Sequence, residues 1–130
     1  MSPLLSLWPR SRSGFLLALS LWSSVLAAQT PVNWPLWDTF RRQTIQSDGR
    51  VIERRAGDRT TSEGQAYALF FALVANDRRQ FEVLLSWTAN NLARGDLHTH
   101  QPAWLWGLDS MSQWRVLDDN PAADADFWLA

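Results

Sequence analysis

The chain has 130 residues, twelve arginines against thirteen acidic residues, no lysine, no cysteine and a formal net charge of −1. That balance excludes the basic stripe of a nucleic-acid binder, and with no cysteine no disulfide can staple the fold, so packing must hold it. The length suits one domain.

Residues 1–28 carry Arg10 and Arg12 as their only charges, followed by the apolar run GFLLALSLWSSVLAA. A basic start, a short hydrophobic middle and a small-residue end make the pattern of a secretory signal. We expect a signal peptide over 1–27, cut after Ala27 or Ala28, and a domain over 28–130. The run falls short of the roughly 20 apolar residues of a spanning helix, so no membrane anchor is expected after cleavage. All thirteen acids and ten of the arginines lie after residue 27, together with seven of the nine tryptophans. Indoles fill cores; in a groove they also stack on the apolar faces of sugars.

Pro35 suits a first helical turn, and Leu36, Trp37, Phe40 and Thr44 recur at helical spacing behind it. Ser47-Asp48-Gly49-Arg50 reads as a turn, Val51-Ile52 as a short extended piece and residues 53–59 as a charged loop. TTSEGQAYALF opens the next helix. Ser62 and Gln65 have the spacing of a capping box, with Glu63 as the first helical residue. The residues beyond it leave no clean polar face, which predicts a helix buried inside a larger body. Asn76-Asp77 breaks the chain, Asp77 and Gln80 make a second capping box, and Phe81, Leu84, Leu85, Thr88 and Leu92 follow at helical intervals up to Gly95. Residues 96–111, with PAWLWG, read as loop, and Asp118-Asp119-Asn120-Pro121 as a polar turn before ADADFWLA. No pair of strands is convincingly patterned, so the expectation is an all-α chain. Its last helix, ending in Phe127-Trp128-Leu129-Ala130, looks cut off, as in the front part of a larger domain.

Glu63 stands where this chain is about to enter a core. An acid in a first helical turn is favoured by about 0.3–1 kcal/mol through the helix dipole, and on the residue alone that role accounts for it. Gly64 beside it removes bulk and would let a ligand approach. Asp124 and Asp126 supply further carboxylates; two residues apart, they cannot share one helix face. Paired carboxylates among aromatic side chains are the equipment of glycoside hydrolysis.

WPLWDTF, DGRVIE, TTSEGQAYALF, ALVANDRRQFEVLLSWTANNLARGDL, PAWLWG and ADADFW, in this order, resemble glycoside hydrolase family 8, and most closely its periplasmic endoglucanases that accompany bacterial cellulose synthesis. The resemblance implies the N-terminal part of an (α/α)6 barrel and inverting hydrolysis of internal β-1,4-glucosidic bonds of cellulose, with no metal or other cofactor. It implies Glu63 as proton donor. Asp124 matches the signature aspartate, described as nucleophile or as holding the sugar at the cleavage point. Trp104 and Trp106 would line the glucan cleft, with Tyr67 and Asp126 also binding substrate. An inverting site needs a base about 6.5–9.5 Å from the acid, and the resemblance puts that base beyond Ala130, so the 130-residue polypeptide is expected to be inactive alone. Ala125 replaces a common glycine and PAAD a serine-containing lead; neither change removes a carboxylate. The partners implied are a β-1,4-glucan chain and the cellulose synthase complex, in the periplasm or the medium.

Two other classes compete with this reading. A non-catalytic glucan-binding module or structural partner of the cellulose-making apparatus would use the tryptophans but needs no glutamate at a helix start. A metalloenzyme would use His98 and His100 with Asp96, although exposed loop histidines are more often polar surface.

Overall fold

The structure, a computed structural model, describes residues 32–129; the expected signal peptide lies outside them. Helix α1 spans Pro35–Thr44, β1 Thr60–Thr61, α2 Ser62–Val74, α3 Arg78–Leu92, β2 Ala103–Leu108, β3 Trp114–Pro121 and α4 Ala123–Leu129, with a short 3-10 turn at Arg54–Ala56. The core is built where α1 and α3 meet α2: Trp37, Val51, Ala68, Leu69, Ala72, Ala75 and Leu84 are buried together, with Phe40, Phe71, Phe81 and Leu129 packed around them. Asp77 ties these parts. It caps α3 by accepting from the Gln80 N–H at 3.1 Å, as its spacing predicts, and also accepts from the Trp37 indole at 3.2 Å.

α2 departs from expectation in two ways. Its cap is Thr61, whose hydroxyl accepts from the Gly64 N–H at 3.2 Å. Thr61 is the last residue of β1, so its backbone is already extended, as an N-cap residue requires. Gln65 does not reach back to the helix start. It is fully buried, accepting from the Val51 N–H at 2.6 Å and donating to the Gly49 carbonyl at 3.2 Å and the Thr88 hydroxyl at 2.9 Å. Unpaired, those groups would each cost about 1–3 kcal/mol in a dry interior, and one amide side chain satisfies all three. The buried face of α2 carries Ser62, Gln65, Ala66, Ala68, Leu69 and Ala72, all small or polar except Leu69, while among the described residues Tyr67, Phe70, Leu73 and Val74 are exposed.

The all-α expectation fails over residues 103–121. The stretches read as loop and turn form β2 and β3, which join β1 in an antiparallel sheet of order β1-β2-β3. Thr60 pairs with Trp106 and Thr61 with Leu105; on the other side Trp106 pairs with Val116 and Leu108 with Trp114. Register shifts interrupt the β2–β3 ladder on either side of Leu105. Such bulges break the period-2 alternation by which a strand is recognised, and β2 itself is nearly all apolar. As an edge strand, β3 tolerates Asp118, Asp119 and the terminal Pro121, which discourage further pairing.

Candidate active site

β1 delivers the chain directly into α2, so Glu63 stands in the first turn of a helix whose cap residue is held in a sheet. Glu63 is half-buried, with the Ser62 hydroxyl 3.4 Å from one carboxylate oxygen. That turn is braced from outside by Glu53, which accepts from Arg59 Nε at 2.8 Å and from the Thr61 hydroxyl at 2.8 Å. Thr61 in turn receives the Gly64 N–H. A Cβ at Gly64 would stand 3.3 Å from Thr61 Oγ1 and 4.0 Å from Glu53 Oε1. The missing side chain therefore leaves room for this brace. Sequence reasoning left Glu53 in a charged loop; its position between Val51-Ile52 and Thr60-Thr61 was the available signal, because short extended pieces on both sides bring it back to the helix start.

Glu63, Tyr67, Phe70 and Val74 recur at the spacing of one helix face. Tyr67 is 49% exposed and, with Gly64, Phe40, Thr44, Val51, Ile52, Glu53 and Phe71, lines an apolar cavity of about 450 Å³. α4 packs against α2 through the buried Ala125. Asp124 is exposed in the first turn of α4. The structure thus brings together the two helices that carry Glu63 and Asp124. Asp126 lies on α4, and its side chain falls outside the described part.

The two tryptophans of PAWLWG have different surroundings. Trp104 donates its indole N–H to Asp118, whose carboxyl is held below its ordinary range first by that bond and then by the Asn120 backbone N–H. Trp106 is enclosed by other rings. It meets Trp87 edge-on at 5.4 Å, and stacks on Trp114, its diagonal cross-strand neighbour, at 5.1 Å and 11°. The Arg50 guanidinium lies 4.5 Å from the Trp106 ring and 4.3 Å from the Trp114 ring. Arg50 is only 6% exposed; its Nε donates to the Thr60 hydroxyl at 2.9 Å and its Nη2 to the Asp58 carbonyl. Burial lowers its pKa, while Asp48 and Asp58 oppose the shift. A turn residue by sequence, Arg50 fastens β1 to the tryptophan cluster. An arginine directly before a tryptophan-rich chain's first extended piece is a weak signal, and nothing local identifies its partners.

Asp96 accepts from the His98 N–H at 2.8 Å and the Thr99 hydroxyl at 2.7 Å, which lower its pKa, the Thr99 bond most. It serves as a turn-former beside the two exposed histidines. Among the described residues no three His, Cys, Asp or Glu side chains gather as they would around a metal ion.

The sequence pattern of the glycosyl hydrolases family 8 matches residues 9–130. The chain belongs to this family. An endoglucanase of Escherichia coli O157:H7 is 48% identical over 120 residues, which are 92% of this chain and 32% of the relative. An endoglucanase of Xanthomonas axonopodis pv. citri is 54% identical over 98 residues, 75% of this chain and 26% of that one. The crystal structure of the endo-1,4-D-glucanase from Vibrio fischeri superposes with a TM-score of 0.71 at 49% identity, over 73% of this chain and 28% of that one. The chain therefore spans about a third of the length of the curated relatives it matches, or less.

Proposed function

We propose that this chain carries the proton-donor side of an endo-1,4-β-glucanase that cleaves cellulose with inversion inside an (α/α)6 barrel. Glu63 protonates the leaving glycosidic oxygen. Asp124 holds the sugar at the cleavage point, while a carboxylate that the resemblance puts beyond Ala130 activates the attacking water on the opposite face. Tyr67, Trp104, Trp106 and Asp126 form the substrate-binding wall. Residues 1–27 act as the export signal, the enzyme works in the periplasm or outside the cell, and its glucan is supplied by a cellulose synthase complex.

One observation supports this reading above the others. Glu63 is half-buried in a helix turn braced by Glu53 and Thr61, on the helix against which the Asp124 helix packs. A carboxylate needed only to complement the helix dipole would not call for such a brace. A non-catalytic binding module gains less support, since stacking sugars on tryptophans needs no braced glutamate at a helix start. The test is Glu63→Gln in the full-length protein. Loss of a general acid lowers kcat by about 10²–10⁴-fold, and binding of cellooligosaccharides should persist. Undiminished turnover would refute the assignment.

A further inference from the structure

We propose that the full-length enzyme has a second carbohydrate site, a polar cavity between the C-terminal end of α3, the loop over residues 94–101 and β3, which holds a neutral β-glucan strand apart from the catalytic groups. The choice of glucan as ligand rests on the functional reading above. The cavity measures about 750 Å³, within the roughly 300–1,000 Å³ of small-molecule sites. Asn90 and Asn91 of α3, His100 and Gln101 of the loop, and Arg115 and Asp118 of β3 stand in its walls, and neither Glu63, Tyr67 nor Asp124 does.

The ligand class follows from which groups are already engaged. Arg94 faces Asp119 across the mouth at 4.0 Å, and Arg115 pairs with Asp109 at 3.7 Å. Asp118 receives the Trp104 indole and Asn120. The cations thus have acidic partners and the formal charges of the wall cancel, so an anionic ligand finds no spare positive charge. The groups left over are neutral and planar. The Gln101 amide has no partner among the described residues; Asn91 donates to the Trp87 carbonyl at 2.9 Å, which leaves its own oxygen to accept. Amides that both donate and accept match the hydroxyls of a sugar ring. Trp104 connects the two places, since its indole is bonded to a wall residue of the cavity while its strand neighbour Leu105 pairs with Thr61 at the start of the Glu63 helix. A strand bound in the cavity would be held next to the cleft without entering it.

The experiment compares the full-length protein with its Asn90→Ala/Gln101→Ala double variant; both residues line the cavity and are exposed, and the Asn90 amide, which donates to the Ser86 hydroxyl at 3.4 Å, keeps its oxygen to accept. Adsorption to insoluble cellulose should weaken by about 5–10-fold, the size of one or two lost hydrogen bonds, while turnover of soluble cellotetraose stays unchanged. Gln101→Leu, which keeps the bulk but removes the amide, should weaken adsorption in the same direction. Unchanged adsorption in both variants overturns the proposal. A parallel fall in cellotetraose turnover overturns it too, because the cavity would then belong to the cleft. Tighter retention of polygalacturonate than of cellulose overturns the neutral ligand class. Adsorption is measured without turnover, so failure of the Glu63 assignment would show separately, as an active Glu63→Gln variant with adsorption intact.

Discussion

The start of α2 and the sheet beside it solve the same problem, holding a surface in place, by opposite means. Around α2 the inner face is alanine with one serine, one glutamine and one leucine, and the helix sits close to its neighbours because little side chain intervenes. Precision there comes from a few fully satisfied polar groups: Gln65 with Val51, Gly49 and Thr88, and Thr61 with Gly64 and Glu53. The sheet is held by bulk. Trp87, Trp106 and Trp114 pack ring on ring with the Arg50 guanidinium against two of them, and its outer strand is largely exposed. The first arrangement fixes one carboxylate; the second offers a broad aromatic and polar rim.

Substitutions can break that contrast, and the α2 side should be the less forgiving. The largest effect is expected at Gly49, whose φ is +98° and where a Cβ would lie 2.3 Å from the Val83 carbonyl oxygen. Neither the backbone of α3 nor the turn can yield cheaply, so Gly49→Ala should cost on the order of 3–4 kcal/mol, read as a lower urea midpoint at unchanged slope. Gln65→Leu keeps the volume but strands the Val51 N–H and the Gly49 carbonyl. A loss of about 2–3 kcal/mol is expected, and kcat of the full-length protein should fall with it, because the turn carrying Glu63 loses its anchor. If Gln65→Leu proved neutral, the polar junction would be ornament and the contrast would fail.

On the sheet side, Arg50→Met should cost less, about 1–2 kcal/mol, from the ring contacts and two hydrogen bonds lost. A changed tryptophan emission spectrum should accompany it. The smallest effect concerns protons. Asp118 has a depressed folded pKa, so its contribution to stability is present above the unfolded value of about 3.9 and disappears as pH falls through the folded one. An NMR titration should place its midpoint below that of a free aspartate, and Trp104→Phe should move it upward. A midpoint indifferent to Trp104→Phe would remove the link between that indole and β3.

Much of the helical part was legible in the sequence because its signals are local. Pro35 and the periodic apolar residues mark α1, and Asp77 with Gln80 marks the start of α3. The sheet was not legible. Residues 103–108 are almost uniformly apolar and residues 114–121 lose their alternation at bulges, so neither shows a strand period. At the site, the helix-start position of Glu63 was readable from TTSEGQ, but its brace was not: Glu53 and Arg59 reach it only after the chain has folded back.

By itself the sequence determined the family, the helical segments and the position of one acidic residue at a helix mouth, since each is written in neighbouring residues and their spacing. Only the tertiary structure decided which face of α2 is buried, that Gln65 belongs to the core and not to a cap, and that Trp106 rests on Trp87, Trp114 and Arg50. Those outcomes depend on which groups are left without partners when water is excluded, and the partners come from distant parts of the chain.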